Sequence, residues 1–239
     1  MKILVTSDTH GNLEGLDVSQ ADVICFAGDI APLKGRGKWH MHDQKKWVQK
    51  KLCRWAAENP SKQFIFTPGN HDFFPIGHKY GPDLDWKIDW PENCHMLIDS
   101  GFTYDGISFY GSPWVPIISY SWAFELETSD LEQKFSMIPE NIDVLLTHSP
   151  PALGHSYPID RSLQWGGTEA FGSAALADAI FRKSPRYAFC GHIHTGSHQP
   201  YELQSYQSNL KTTFVNVSRV DENYEIAYEP FVFDIEPVQ

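Results

Sequence analysis

Apolar residues fall along this chain in short runs that stop abruptly at Gly, Asp, Asn or His. KILVT (2–6), DVICFAG (22–28) and QFIFT (63–67) have the length and β-favouring character of buried strands. GNLEGLDVSQ, between the first two, has room only for a turn or a short helix. Residues 40–59 follow a different period: Trp47, Val48, Leu52, Trp55 and Ala56 share one helical face, and Asn59-Pro60 stops the helix. Strands alternating with helical segments predict a parallel sheet.

The second half adds other signals. FTYDGISFYG (102–111) reads as two strand arms around Asp105-Gly106, a hairpin. IDVLLT (142–147), RYAFCG (186–191), TTFVNVS (212–218) and EIAYEPFVFDI (225–235) predict further strands, the last interrupted at Pro230. GSAALADAIF (172–181) predicts a helix with Ser173 as N-cap. Parallel order followed by antiparallel signals implies a mixed α/β architecture with two sheets. No repeat or long linker divides the chain, so we expect one domain over residues 1–239.

The candidate chemistry lies where the strands end. KILVT runs into Ser7-Asp8-Thr9-His10, VICFA into Gly28-Asp29, and FIFT into Pro68-Gly69-Asn70-His71-Asp72. VLLT runs into His148, and YAFC into Gly191-His192-Ile193-His194. In open α/β sheets, ligands bind in the crevice outside the carboxyl ends of the strands. Asp8, His10, Asp29, Asn70, His148, His192 and His194 supply oxygen and nitrogen donors and no thiolate. One ion of modest coordination number needs only about four to six donors, so this set suggests two ions. Paired ions sit about 3.5–4 Å apart, and a shared carboxylate offsets their repulsion.

Bulk charge narrows the partners. The net charge of −11 argues against a broad grip on a phosphate backbone, so nucleic acid is not the expected partner. Cys25, Cys53, Cys94 and Cys190 are widely spaced with no CxxC pair, which predicts free thiols in a reducing compartment. MKILVTSD turns polar too early for a signal peptide, and no apolar run approaches the ~18 residues of a membrane span. A soluble, cytoplasmic protein without a membrane partner is expected.

These blocks resemble the calcineurin-like metallophosphoesterases, whose pattern is D-x-H, GD, GNH-[DE], a lone His and GHxH; here it spans residues 8–194. YGSPW (110–114), the Trp122/Phe124 stretch, IPENIDVLLTHSPP (138–151) and GHIHTG (191–196) are similar to the metallophosphoesterase-domain-containing subfamily. Ser149 stands where that subfamily usually has Gly. The resemblance implies a four-layer αββα sandwich of two mixed sheets flanked by helices. It implies that Asp8, His10, Asp29 and His194 hold one metal, and that Asp29, Asn70, His148 and His192 hold the other. It implies that His71 faces the substrate phosphate as donor or general acid, beside Asn70, with Asp72 orienting its imidazole. Manganese, iron, zinc or magnesium would suit these donors.

The implied reaction is in-line attack of a metal-activated hydroxide on a small phosphodiester such as a cyclic nucleotide. Alternatives are a phosphomonoesterase or protein phosphatase, a nuclease, and a metal-binding scaffold without catalysis. The protein-phosphatase signature GDxVDRG is absent: the stretch reads GDIAPLKGRG, and Arg36 lies too far along to replace the missing arginine. The loop HSYPIDRSLQWGG (155–167) is long enough to be a lid. On that reading Arg161 meets phosphate and Tyr157 or Trp165 stacks on a base; an ordinary surface excursion is the alternative. Trp114 and Trp122 read as packing residues. His40 and His42 read as solvated, His78 and His95 lie in no motif, and His155 and His198 follow the motifs closely enough to be candidate substrate contacts. The natural substrate, the metals and the oligomeric state stay open.

Overall fold

The computed structural model describes residues 1–33, 38–79, 87–162, 166–206 and 209–238. In chain order its strands are β1 (Lys2–Thr6), β2 (Val23–Ala27), β3 (Gln63–Thr67), β4 (Cys94–Met96), β5 (Ser100–Tyr104), β6 (Ile107–Ser112), β7 (Val115–Pro116), β8 (Glu125–Leu126), β9 (Val144–Thr147), β10 (Tyr187–Cys190), β11 (Tyr201–Gln204), β12 (Lys211–Asn216) and β13 (Phe231–Asp234). The α-helices are α1 (Lys38–Trp47), α2 (Cys53–Ala57), α3 (Thr128–Ser136) and α4 (Ala174–Lys183). A π-helical turn over Val48–Leu52 joins α1 to α2, so the predicted helix over 40–59 is one helical run from 38 to 57.

One sheet is ordered β13-β1-β2-β3-β4 and the other β11-β12-β10-β9-β6-β5, with β7 and β8 forming a small separate pair. Strand alternation explains the layering, because successive side chains point to opposite faces. From β1, Ile3 and Val5 enter a core shared by both sheets with Phe109, Leu146 and Phe189, while Leu4 faces the opposite way. Leu4, Ile24, Phe26, Phe64 and Phe66 pack against Val48, Leu52 and Ala56 of the first helical run. Leu145, Ala188 and Phe214 pack against Phe135 of α3 and Leu176 and Ile180 of α4. Three apolar layers between helix, sheet, sheet and helix make the expected αββα sandwich. Each large side chain fully buried there contributes about 1.5–3 kcal/mol.

Several local expectations hold and others shift. The 102–111 hairpin forms as β5 and β6, with Asp105 and Gly106 at φ 47° and 78°, the left-handed pair that suits strand twist. Ser173 Oγ accepts from the Leu176 N–H at 3.2 Å and caps α4. The second sheet is mixed, as expected: β6, β9, β10 and β12 are mutually parallel, and the edge strands β5 and β11 run against them. Of the run 225–235, only Phe231–Asp234 is a strand, paired antiparallel to β1. Pro230, which has no N–H to donate, immediately precedes it.

This topology places the site. β1, β2 and β3 are adjacent and parallel, so their carboxyl ends open on one edge; β9 and β10 do the same in the second sheet. The loops beyond are laced together: Ser7 N–H donates to the Val217 carbonyl at 2.8 Å, Asp8 N–H to Gly28 at 3.0 Å, and Gly191 N–H to His148 at 3.1 Å. Among the described residues, no helix is long and apolar enough to cross a membrane.

Candidate metal centre

The backbone bends sharply where the donors begin. Asp8, His10, Asp29 and His192 have φ of 53°, 44°, 51° and 69°, a left-handed conformation uncommon outside glycine. Such residues persist only where their surroundings over-determine them. Here the restraints are visible: His10 N–H donates to the Asp29 carbonyl at 2.9 Å, and His192 N–H reaches both Asp8 oxygens at 3.1 and 3.2 Å. Two glycines allow the carboxylates to lie against the backbone. A Cβ on Gly191 would stand 2.1 Å from Asp8 Oδ2, and one on Gly69 would stand 2.1 Å from Asp29 Oδ1.

Asp29 sits at the meeting point. Its Oδ2 lies 3.3 Å from His148 Nε2, 3.9 Å from His71 Nε2 and 4.0 Å from His10 Nε2. Asp8 Oδ1 lies 3.5 Å from His194 Nε2. Asn70 Oδ1 is 3.0 Å from His148 Nε2. Ligand atoms of Asp8, His10 and His194 fall within 4.8 Å of one another, as do those of Asp8, Asp29 and His148, and those of His10, Asp29 and His71. Two donors each about 2.1 Å from a shared ion stand roughly 3–4 Å apart, so the spacing suits ions. Both ring nitrogens of His10 and Nδ1 of His71 are buried without a hydrogen-bond partner. Buried polar atoms are rarely left so, and for His10 a lone pair kept for a cation accounts for one of its two nitrogens. Nδ1–H of His148 donates to the Ala27 carbonyl at 3.0 Å, and that of His194 to Asp221 at 2.9 Å. Those carbonyls turn each Nε2 toward the centre, the usual support for a metal-binding imidazole.

Charge is divided sharply among these groups. Burial pushes His10 down to about 4 and His192 down to about 3; neighbouring histidines add to both shifts. Burial likewise lowers His71. Burial also opposes the charge on His148, yet the field of Asp29 and its hydrogen bond outweigh it and lift His148 to about 9. Asp8 and Asp29 stay ionised despite burial, held low by His194 and His148 respectively. Among the candidate ligands, His10 and His192 are therefore neutral and Asp8 and Asp29 ionised, the forms that accept cations.

Asp72 departs from its expected role. Its carboxylate accepts from the N–H groups of Gly69 at 2.9 Å, Ala31 at 2.8 Å and Ile30 at 3.1 Å, not from the His71 ring. It pins the loop after β3 to the loop after β2, and so fixes Asn70 and His71 through the backbone. His71 N–H in turn donates to Asp29 Oδ1 at 2.8 Å.

A cavity of about 450 Å³ opens over the centre, lined by Asp29, Asn70, His71, His192 and His194 and walled by Ile118, Trp122, Ser162, Phe171, Glu222 and Tyr224. The expected substrate contacts Arg161 and Tyr157 are not on this wall. The Arg161 guanidinium donates to the Thr168 carbonyl, and Tyr157 packs edge-on to Tyr201 at 5.2 Å. The loop folds back through a bridge between Arg161 and Ala170, which directs Ser162 and Phe171 to the cavity instead. Trp165 and Arg36 lie outside the described residues, as does the side chain of His78. His155 is exposed, and His198 braces the centre from outside, its Nε2 2.9 Å from the His194 carbonyl. His40 and His42 are half-buried on α1, not fully solvated. Trp114 packs as expected, its indole N–H donating to Asp99 at 2.8 Å. Trp122 does not only pack: its ring lies 4.2 Å from that of His71 on the cavity wall.

Sequence reasoning missed the wall residues Ile118, Phe171, Glu222 and Tyr224. They come from loops without a recognisable motif. The one signal was proximity: DENYE (221–225) closely follows a predicted strand whose neighbour carries GHIH.

The Calcineurin-like phosphoesterase family model matches residues 1–196. Metallophosphoesterase domain-containing protein 1 of Homo sapiens is 29% identical over 254 residues, covering 98% of this chain and 71% of that protein. A UPF0046 protein of Caenorhabditis elegans is 28% identical over 247 residues, covering 98% of this chain and 75% of its own. A solved crystal structure that is 15% identical shares the fold, with a TM-score of 0.59 over 89% of each chain.

Proposed function

The chain belongs to the calcineurin-like phosphoesterase family of metal-dependent phosphoesterases, and on that premise we propose that it hydrolyses small phosphodiesters such as cyclic nucleotides. Asp8, His10, Asp29 and His194 would hold one ion, and Asp29, Asn70, His148 and His192 the other, with Asp29 shared. When bound, such a pair lowers the pKa of water toward neutrality and offsets charge on phosphoryl oxygens.

The remaining work falls to this chain's own groups. Asn70 contributes a neutral oxygen, so the cage carries two carboxylates and not three. His71 lines the cavity with its Nε2 3.9 Å from Asp29 Oδ2, and on this reading its imidazole N–H would face the ester oxygens. Burial keeps that imidazole neutral, so it would act as a hydrogen-bond donor to the ester oxygen that gains charge. Trp122 holds the ring from the side, and the Asp29 and Asp72 hydrogen bonds hold its backbone. Ile118, Phe171 and Trp122 give that side of the cavity an apolar lining.

The observation that carries the diester reading is the charge of the wall. Among the described residues lining the cavity there is Glu222 but no Lys or Arg. A dianionic monoester would have only the metal centre to neutralise it, whereas a diester brings one negative charge. Four buried, unpaired thiols support a cytosolic setting. The test is manganese-dependent turnover of bis-p-nitrophenyl phosphate against p-nitrophenyl phosphate, with cyclic nucleotides alongside. We expect kcat/KM to favour the diester at least tenfold. A preference for the monoester would make the protein a phosphomonoesterase, and no turnover of either would make it a scaffold.

A further inference from the structure

Glu222 stands out on the cavity wall because its charge is wrong for a site that receives phosphate. It lies on the segment after β12, and that segment is firmly held. The Asp221 carbonyl accepts from His194 Nδ1 at 2.9 Å, and the Asp221 carboxylate accepts from the N–H groups of Asn223 at 2.8 Å and Glu225 at 3.0 Å. Tyr224, at φ 63°, sets its ring 4.9 Å from His10 and 5.2 Å from His194. Glu222 is thus positioned relative to the centre by the same segment that braces a candidate ligand.

Its carboxylate is used asymmetrically. Oε1 accepts from Thr195 Oγ1 at 2.6 Å and from Ser162 Oγ at 2.9 Å. Among the described residues no donor reaches Oε2, and the side chain lines the cavity. An ionised carboxylate can only accept hydrogen bonds, so the free oxygen calls for a donor. Bracing two hydroxyls would not require a charge, and a charge here repels an anionic substrate. The penalty is offset if the substrate itself supplies the donor.

We infer that Glu222 is a specificity-determining residue that binds a hydroxyl or amine hydrogen on one ester arm of the substrate. This rests on the diester reading above and narrows it to diesters with a donor-bearing arm. The cavity divides in keeping with this: a second hollow of about 370 Å³ shares Ile118, Phe171 and His192 but is walled by Pro116, Ile117, Ala170 and Gly172, with no acceptor carboxylate. One arm of the substrate meets Glu222, and the other meets the apolar hollow.

The test uses the manganese-loaded full chain and three chromogenic diesters. Bis-p-nitrophenyl phosphate has no donor, thymidine 5′-(p-nitrophenyl phosphate) offers a hydroxyl, and 2-aminoethyl p-nitrophenyl phosphate offers an ammonium. Glu222→Gln keeps an oxygen for Ser162 and Thr195 but replaces the free acceptor with an amide donor. The readout is the ratio of kcat/KM for each donor-bearing diester to that for the donor-free one. We expect that ratio to fall about tenfold or more for at least one, the scale of one hydrogen bond to a charged group. A fall confined to the ammonium substrate identifies a cationic arm, and one confined to the nucleoside identifies a hydroxyl. Glu222→Ala, which removes the carboxylate outright, is read in the same way. Ratios within twofold of wild type for both donors overturn the role of Glu222 and leave the diester reading intact. A wild-type enzyme that cleaves none of the three overturns both.

Discussion

Gly69 packs against Asp29 as closely as Gly191 packs against Asp8, and Gly69→Ala perturbs that contact without removing any proposed ligand. An added Cβ would stand 2.1 Å from Asp29 Oδ1, 2.5 Å from its backbone nitrogen and 2.8 Å from Cγ. Ordinary contact needs about 3.4 Å, so the carboxylate must move by roughly 1.3 Å or the loop must shift as a whole. Asp29 has little freedom, because Oδ1 is tied to the His71 N–H and the residue is buried. Metal ligands tolerate about 0.2 Å of displacement, and a misplacement of about 1 Å can cost 10²-fold in rate. Overpacking of this kind costs about 1–3 kcal/mol, which in a chain of this length lowers Tm by about 2–12 °C. We therefore expect a folded variant with metal affinity and kcat/KM each reduced about 100-fold or more. The assays are metal counting after equilibrium dialysis against manganese, thermal melting, and turnover of bis-p-nitrophenyl phosphate at saturating metal. A variant with two tightly held ions and turnover within threefold of wild type would refute the packing argument.

His71→Ala should keep its ions but lose about 10²–10³-fold in kcat, the scale of one hydrogen-bond donor to developing charge. Loss of an ion in that variant would instead make His71 a ligand, which its place beside His10 and Asp29 permits geometrically. Asp72→Asn should destabilise the fold by about 1–3 kcal/mol, because its amide must turn a donor toward at least one of three buried N–H groups. An unchanged Tm would contradict the pinning role. Metal uptake should be pH-dependent. In the metal-free chain His148 is raised from 6.5 to about 9, so its charged form stabilises the fold fully below pH 6.5, and that contribution is lost as pH rises through 9. A cation must displace that proton, so affinity should climb toward pH 9, with at least one proton released per chain at pH 7.5. Calorimetry in buffers of different ionisation enthalpy counts the protons, and zero release would exclude His148 as the displaced group.

The donors were legible because each is read off the end of an apolar run. The backbone fixes where Asp8, Asp29, Asn70, His148 and His192 emerge, and parallel pairing brings those ends to one edge. The role of Asp72 was not legible: its partners, Ile30 and Ala31, lie some 40 residues away across a strand pair. Arg161 looked like a phosphate ligand by type, but loop geometry turned it toward Thr168 and gave the cavity Ser162. Short strands such as Cys94–Met96 escaped notice because three residues carry no period. α3 carried a signal that went unread, with Leu131 and Phe135 four residues apart and both buried. The parallel core of the second sheet follows from crossover connections, which no local pattern encodes.

The central claim is that two ions share Asp29 where the strands end. Anomalous diffraction from crystals grown with manganese tests it directly. We expect two peaks about 3.5–4 Å apart, with the Asp29 carboxylate between them. Asp8, His10 and His194 should surround one peak, and Asn70, His148 and His192 the other. A single peak, or peaks that Asp29 does not touch, would contradict the account.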